Sequence, residues 1–335
     1  MKAVLSRNPG PPESLELSDV AALAPGDGEV LIRVAACGVN FPDALIIEDR
    51  YQFRPPRPFA PGGEVSGTVA AVGPGVTGVR PGMRVLASLG WGGMAEQAVT
   101  RAERCVTIPD TMPFDEAAAF MMTYGTSWHA LVDRGHLKSG DTLLVLGAAG
   151  GVGTAAVEIG KALGARVVAA CSSADKVALA KECGADAGVV YPRGPFDKDG
   201  ARALADHFKS ACGAGGADVV YDAVGGDYSE AALRAIAWEG RFLVVGFPAG
   251  IPKIPLNLAL LKGCEIAGVF WGEFVRRDPA RHARNVKELF ARYQSGQIRP
   301  RVSKRFPLAK AHEAIAWLAS RQALGKVVVV VDEAG

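Results

Sequence analysis

Residues 142–171 read as one continuous unit: an apolar run (TLLVLG), a glycine-rich loop (AAGGVG), a helical run (TAAVEIGKALGA) and a second apolar run (RVVAAC). A strand that returns through a helix to a second strand makes a parallel pair, so this stretch commits the chain to an α/β sheet. Gly150 lets a backbone approach a pyrophosphate, and Gly153 lets the helix pack closely on the strand. The helix's first amides and its dipole then favour an anionic group. The loop Ala148, Ala149, Gly150, Gly151, Val152 and Gly153 is therefore expected to hold a dinucleotide, with Ala148 standing where the fingerprint usually has its first glycine. The competing interpretation, a tight turn with no ligand, is disfavoured by the complete strand–loop–helix–strand context.

Further apolar runs (AGVVY, DVVYDAV, RFLVVGF) alternate with helical stretches, one over Ala174 to Cys183 and one over Ser229 to Glu239. This predicts a doubly wound parallel sheet. Before it, the first hundred residues alternate short β-type runs with glycine and proline turns, the pattern of an antiparallel, barrel-like domain. PFDEAAAFMMTYGTSWHALVDRG reads as a helix linking the two. After Gly263 the pattern mixes again, with helices over Pro279 to Gln294 and Ala309 to Ser320 and a last strand at Lys326 to Val331. These residues are expected to rejoin the first domain, and 335 residues suffice for two domains of roughly 150.

The residues closing the second strand select the dinucleotide. An NAD-binding chain places Asp or Glu about 20 residues beyond the loop to hold the ribose hydroxyls. Here the sequence is Cys171-Ser172-Ser173-Ala174-Asp175-Lys176. Two hydroxyls and the Lys176 ammonium suit a 2′-phosphate, so NADPH is expected over NADH. Ser172 also suits a helix N-cap, and Asp175 partly opposes Lys176.

Composition narrows the remaining classes. Hydrophobic residues make up 49% and charged residues 21%, an ordinary folded mixture. A net charge of +2 gives no chain-wide attraction to nucleic acid or an anionic membrane. No apolar run reaches the roughly 18 residues of a membrane span. Pro9, Gly10, Pro11 and Pro12 interrupt the N-terminus before a secretory core can form. Six cysteines without a Cys-x-x-Cys pair make neither a disulfide framework nor a zinc ribbon, and a reducing cytoplasm is the expected location.

Six segments, AACGVNFPDALI, RYQFRPPRPFAPGGEVSG, FMMTYGTSWHAL, VLGAAGGVG, YDAVGGD and GRFLVVGF, occur in the order and spacing of one family. By them the chain resembles the zinc-independent quinone oxidoreductase family of the medium-chain dehydrogenase/reductase superfamily. The resemblance implies a GroES-like catalytic domain (residues 1–117 and 264–335), a Rossmann NADPH-binding domain (118–263) and a homodimer, with sheet extension near Arg241 to Trp271. The positions matching the catalytic zinc ligands of the superfamily fall on Asn40, Gly63 and Met122, none of which supplies a thiolate or imidazole, and Glu64 alone cannot make a three-ligand site. No metal is expected. Without a Lewis acid, reduction of a simple ketone loses its alkoxide stabilisation, whereas a quinone or enone spreads the charge over a π system.

In the family resembled, an Asn and a Tyr eleven positions later face the nicotinamide, and Asn40 and Tyr51 match. Tyr51 is expected to hydrogen-bond the developing oxyanion and Asn40 to position the reactants. Asp43 matches an acid of the same segment, for which a structural turn role serves equally. Thr123, Tyr191, Phe247 and Phe270 fall where the family contacts the cofactor, and each also reads as an ordinary core or strand-end residue. Trp271 fits an aromatic wall or a core position, and His129 a structural one.

One feature stands outside the resemblance. Between Arg276 and Arg305 ten Lys or Arg face two acids, a local charge of +8 against −6 for the rest of the chain. A solvated helix face, an anion-binding rim for a coenzyme A thioester and a nucleic-acid footprint all fit this count. The functions to weigh are an NADPH-dependent quinone or enone reductase, an enoyl- or acryloyl-coenzyme A reductase on the same scaffold, and a non-catalytic NADPH- or RNA-binding protein.

Overall fold

The apolar runs that follow residue 141 all become strands of one parallel sheet. A computed structural model describes residues 1–331. Across this sheet the strands run Ala187–Val190, Arg166–Cys171, Thr142–Leu146, Ala217–Asp222, Ile236–Val244 and Glu265–Gly268, every pair parallel. The order reverses direction between Thr142–Leu146 and Ala217–Asp222, which opens a crevice at the carboxyl ends there. Side-chain alternation serves both faces. Leu143 and Val167 pack toward Gly160 of the helix Gly151–Ala162. Leu144, Val168 and Val220 pack with Leu204, Phe208 and Ala231 of the helices on the other side.

Two expectations are corrected here. The helix expected over Ser229 to Glu239 stops at Arg234, and a strand begins at Ile236. The Ala217 amide donates to the Ala235 carbonyl at 3.0 Å, which draws the chain into the sheet before Glu239 takes a φ of 58°. The segment 264–299, expected to rejoin the first domain, packs instead with the nucleotide unit, because Glu265–Gly268 extends the parallel sheet and the helices Trp271–Arg277 and Pro279–Gln294 dock on that unit. His129 stacks on Phe274 with ring centroids 3.9 Å apart, and Asp133 accepts from both His129 Nδ1 and Asn285 Nδ2 at 2.8 Å. The chain thus divides into Thr123–Arg299 and a unit made of Met1–Met122 with the residues from Pro300 onward.

The linking helix is less regular than its sequence: Phe114–Ala117 is α-helical, Met121–Gly125 and His129–Arg134 are π-type, and Thr126–Trp128 is α-helical between them. Such widened turns concentrate near functional sites. The other unit is built on the strand Glu29–Val39, which pairs antiparallel with Glu64–Val72, Gln97–Arg101 and Lys326–Val330. The last of these lies parallel to Val302–Pro307. The core of this unit gathers Val30, Ile32, Val65, Val85, Ile315 and Val327. Among the described residues no helix is long and apolar enough to cross a membrane, and all six cysteines are free thiols.

Candidate active site and cofactor cradle

The glycine loop takes the shape its residue types allow. Gly150 is the N-cap of the helix Gly151–Ala162, with extended dihedrals (φ −79°, ψ 169°) and an exposed surface. A β-carbon on Gly150 would meet only the Gly147 carbonyl, at 3.5 Å, so packing within the protein does not require glycine there. A β-carbon on Gly153 would lie 2.1 Å from that same carbonyl, a clash that fixes glycine for helix–strand packing. The amides of Gly151, Val152 and Gly153 lie in the first turn, where a helix has no acceptor of its own. An open cradle ending in free amides fits a pyrophosphate. Ala148 and Ala149 are buried behind it, and Ser127 Oγ braces it by donating to the Val152 carbonyl at 2.9 Å.

At the end of the second strand, Ser173 caps the helix Ala174–Glu182 by accepting from the Lys176 amide, and Lys176 Nζ donates to Ser172 Oγ at 3.1 Å. The three residues assigned to a 2′-phosphate therefore converge, while Asp175 is exposed. Tyr191 is buried at the end of the neighbouring strand, its ring 4.8 Å from Tyr228. Thr123 is buried in the first π-type turn. Phe247 and Phe270 are about half exposed, a cost in apolar surface that ordinary core residues do not carry. Trp271 is buried against Gly125, which makes it core rather than an aromatic wall.

The second set of residues lies in the other unit. Asn40 ends the strand Glu29–Val39 and starts the short helix Phe41–Ile46. Asp43, in the first turn, accepts from the Asn40 amide at 2.7 Å and from the Gly62 amide at 3.1 Å, tying the helix to the loop before Glu64. Burial pushes the Asp43 carboxyl up to about 6, against the pull of those two amides. Asn40 Nδ2 donates to the Gly38 carbonyl and to Glu64 Oε2, both at 3.2 Å, and Asn40 Oδ1 accepts from Lys326 Nζ at 2.8 Å. Glu64 is fully buried, its other oxygen accepting from the Met122 amide at 2.7 Å, and burial raises its carboxyl above the ordinary value.

Tyr51 sits half-buried in the loop after this helix, edge-on to Phe53 at 5.9 Å. Burial and the nearby Asp43 charge raise its hydroxyl above the ordinary value. The loop is held by Arg57, which pairs with Asp49 at 2.8 Å and donates to the Ile47 carbonyl at 3.0 Å. Asn40 and Asp43 are thus brought together with two residues the sequence argument did not assign to the site, Lys326 and Glu64. Lys326 gave little signal, since a lysine opening an apolar strand reads as a solvated end.

The basic segment is largely engaged. Arg276 and Arg277 pair with Glu273, Arg281 with Asp133, and Arg305 with Asp115. Arg292 pairs with Glu288 and covers the Trp128 ring. These pairings favour a solvated, internally compensated face over a nucleic-acid footprint.

Residues 151–288 match the family described as "Zinc-binding dehydrogenase" and residues 26–110 the "Alcohol dehydrogenase GroES-like domain". Quinone oxidoreductase-like protein 2 of Rattus norvegicus is 36% identical over 319 residues, covering 95% of this chain and 89% of the relative. A mycobacterial protein solved in complex with NADPH superposes with a TM-score of 0.90 at 32% identity, covering 99% of this chain and all of the other. The Escherichia coli quinone oxidoreductase, also complexed with NADPH, superposes with a TM-score of 0.89 at 26% identity, again over 99% of this chain and all of the other.

Proposed function

The chain belongs to the quinone oxidoreductase family of the medium-chain dehydrogenase/reductase superfamily, and from that premise we propose that it is an NADPH-dependent reductase of quinones or carbonyl-conjugated alkenes that works without a metal. The observation that carries this reading is the occupant of the zinc-ligand region. Asn40, Gly63 and Met122, which match the superfamily's zinc-ligand positions, supply no thiolate or imidazole, and the Asn40 side chain is already engaged by Lys326 and Glu64.

The residues fit NADPH. The amides of Gly151 to Gly153 would hold the pyrophosphate, and Ser172, Ser173 and Lys176 the 2′-phosphate. When bound, NADPH supplies a hydride from its nicotinamide. This chain's own part is to orient the acceptor and stabilise the charge the acceptor gains. Tyr51 is the donor for that charge: its hydroxyl, raised above its ordinary value by burial and the nearby Asp43, hydrogen-bonds the oxygen that becomes anionic. Solvent or Tyr51 then furnishes the proton that completes the hydroquinone or saturated ketone.

Turnover tests this directly. Initial rates of NADPH oxidation are measured against quinones, simple enones and enoyl-coenzyme A esters, for wild type and Tyr51→Phe. We expect a quinone or enone to turn over in wild type. In Tyr51→Phe the rate should fall about 10²-fold, as for a removed oxyanion donor, with NADPH affinity retained. Preference for the thioester would move the substrate class, and no turnover on any acceptor would leave a non-catalytic NADPH-binding protein. We also place the protein in the reducing cytoplasm, as a homodimer. The exposed side chains Trp238, Ile251, Leu256, Leu260 and Leu261 support the dimer, since they cluster in sequence around the outer strands of the parallel sheet.

A further inference from the structure

Lys326 is almost wholly buried; its ammonium donates to Asn40 Oδ1 at 2.8 Å and to the Val39 carbonyl at 3.2 Å, and forms an ion pair with Glu64 Oε2 at 3.6 Å. Withdrawing an ammonium and a carboxylate from water is expensive, and an apolar pair of the same size would fill the space more cheaply. The arrangement has a consequence for Asn40. An amide side chain is nearly symmetric in shape and can sit either way round, so only its neighbours decide which end faces where. An ammonium only donates and a carboxylate only accepts, so Lys326 and Glu64 together fix Oδ1 toward the lysine and Nδ2 toward the glutamate. Both Nδ2 hydrogens are then used, on the Gly38 carbonyl and on Glu64. What Asn40 has left is one lone pair on Oδ1.

We propose that Lys326 is a positioning residue that locks Asn40 as a hydrogen-bond acceptor for the N–H group of the nicotinamide carboxamide. This rests on the reading above, in which Asn40 meets the nicotinamide. It also assigns roles within that reading: an acceptor-only Asn40 cannot stabilise a developing oxyanion, so that task falls to Tyr51 alone. Without Lys326 the amide is held only through Nδ2, by the Glu64 and Gly38 acceptors, and when Glu64 is neutralised as well only the Gly38 carbonyl is left to oppose the turned orientation, which presents hydrogens to a group that also presents hydrogens.

The test compares two ligands that share one half. NADPH carries the nicotinamide, whereas adenosine 2′,5′-bisphosphate carries only the adenosine and its phosphate. Dissociation constants for both are measured by calorimetry on wild type, Lys326→Arg, Lys326→Met and the double variant Lys326→Met with Glu64→Gln, which removes both charges together. The expected result is about a tenfold weaker NADPH in Lys326→Met or the double variant, unchanged adenosine 2′,5′-bisphosphate, and near wild-type values in Lys326→Arg. Equal loss of both ligands, loss of neither, or failure of both methionine variants to fold while Lys326→Arg folds assigns Lys326 to the fold alone and overturns the proposal. None of these readouts needs turnover, so a wild type that binds NADPH but reduces no acceptor counts against the proposed reaction and leaves this comparison standing. A wild type that does not bind NADPH counts against both.

Discussion

At the scale of single residues, burial raises the carboxyls of Asp43 and Glu64 and the hydroxyl of Tyr51 above their ordinary values. Asp43 shows this most clearly, because its carboxyl lies at about 6 rather than the ordinary 3.8. The folded chain binds that proton more tightly than the unfolded chain. Its contribution to stability is therefore full below about pH 4 and is lost as the pH rises through about 6. Across that window the group should account for ~3 kcal/mol of pH dependence. Urea unfolding of Asp43→Asn at pH values from 4 to 7 is expected to show a shallower decline with pH than wild type. At pH 4 its stability should be lower by ~1 kcal/mol, since an amide offers one acceptor oxygen to the Asn40 and Gly62 amides where a carboxyl group offers two. An undiminished slope in the variant would show that Asp43 does not titrate there.

At the scale of elements, the outer edge of the parallel sheet carries the clearest unmet apolar surface. Leu260 and Leu261 on the helix Asn257–Lys262 are 80% and 66% exposed, and the last strand, Glu265–Gly268, has a partner on one side only among the described residues. Exposed apolar clusters of this kind are drawn to a second surface. Light scattering is expected to give a dimer for wild type and a monomer for Leu260→Glu with Leu261→Glu. A wild-type monomer, or a dimer unaffected by the double substitution, would place the contact elsewhere or remove it. The same edge shows where the sequence was hard to read. Apolar runs such as Leu143–Leu146 declare themselves because a strand buried on both faces must be apolar throughout. Glu265–Gly268 is short and mostly exposed, so it looks like a loop, and the residues after it were assigned to the wrong unit. The turn of the glycine loop into its helix was legible because its geometry is local to six residues. The Lys326–Asn40 contact was not, because it joins positions 286 apart and depends on the antiparallel pairing of Val327 with Val39.

At the scale of the whole molecule, each unit contributes a different kind of chemistry. In the proposed reading the unit Thr123–Arg299 would offer amides, hydroxyls and a lysine to a phosphorylated dinucleotide. The other unit holds the buried cluster of Asn40, Asp43, Glu64 and Lys326, and in the same reading Tyr51 would be its phenolic donor. The proposed reaction takes its hydride from the cofactor, so cofactor choice is the claim on which the rest stands. The most direct measurement is the dissociation constants of NADPH and NADH, by nicotinamide fluorescence, for wild type and Lys176→Ala. Wild type should prefer NADPH, and Lys176→Ala should weaken NADPH about 10- to 100-fold, the value of a charged hydrogen bond to the 2′-phosphate, while NADH changes little. Equal weakening of both cofactors, or a wild type that prefers NADH, would contradict the account.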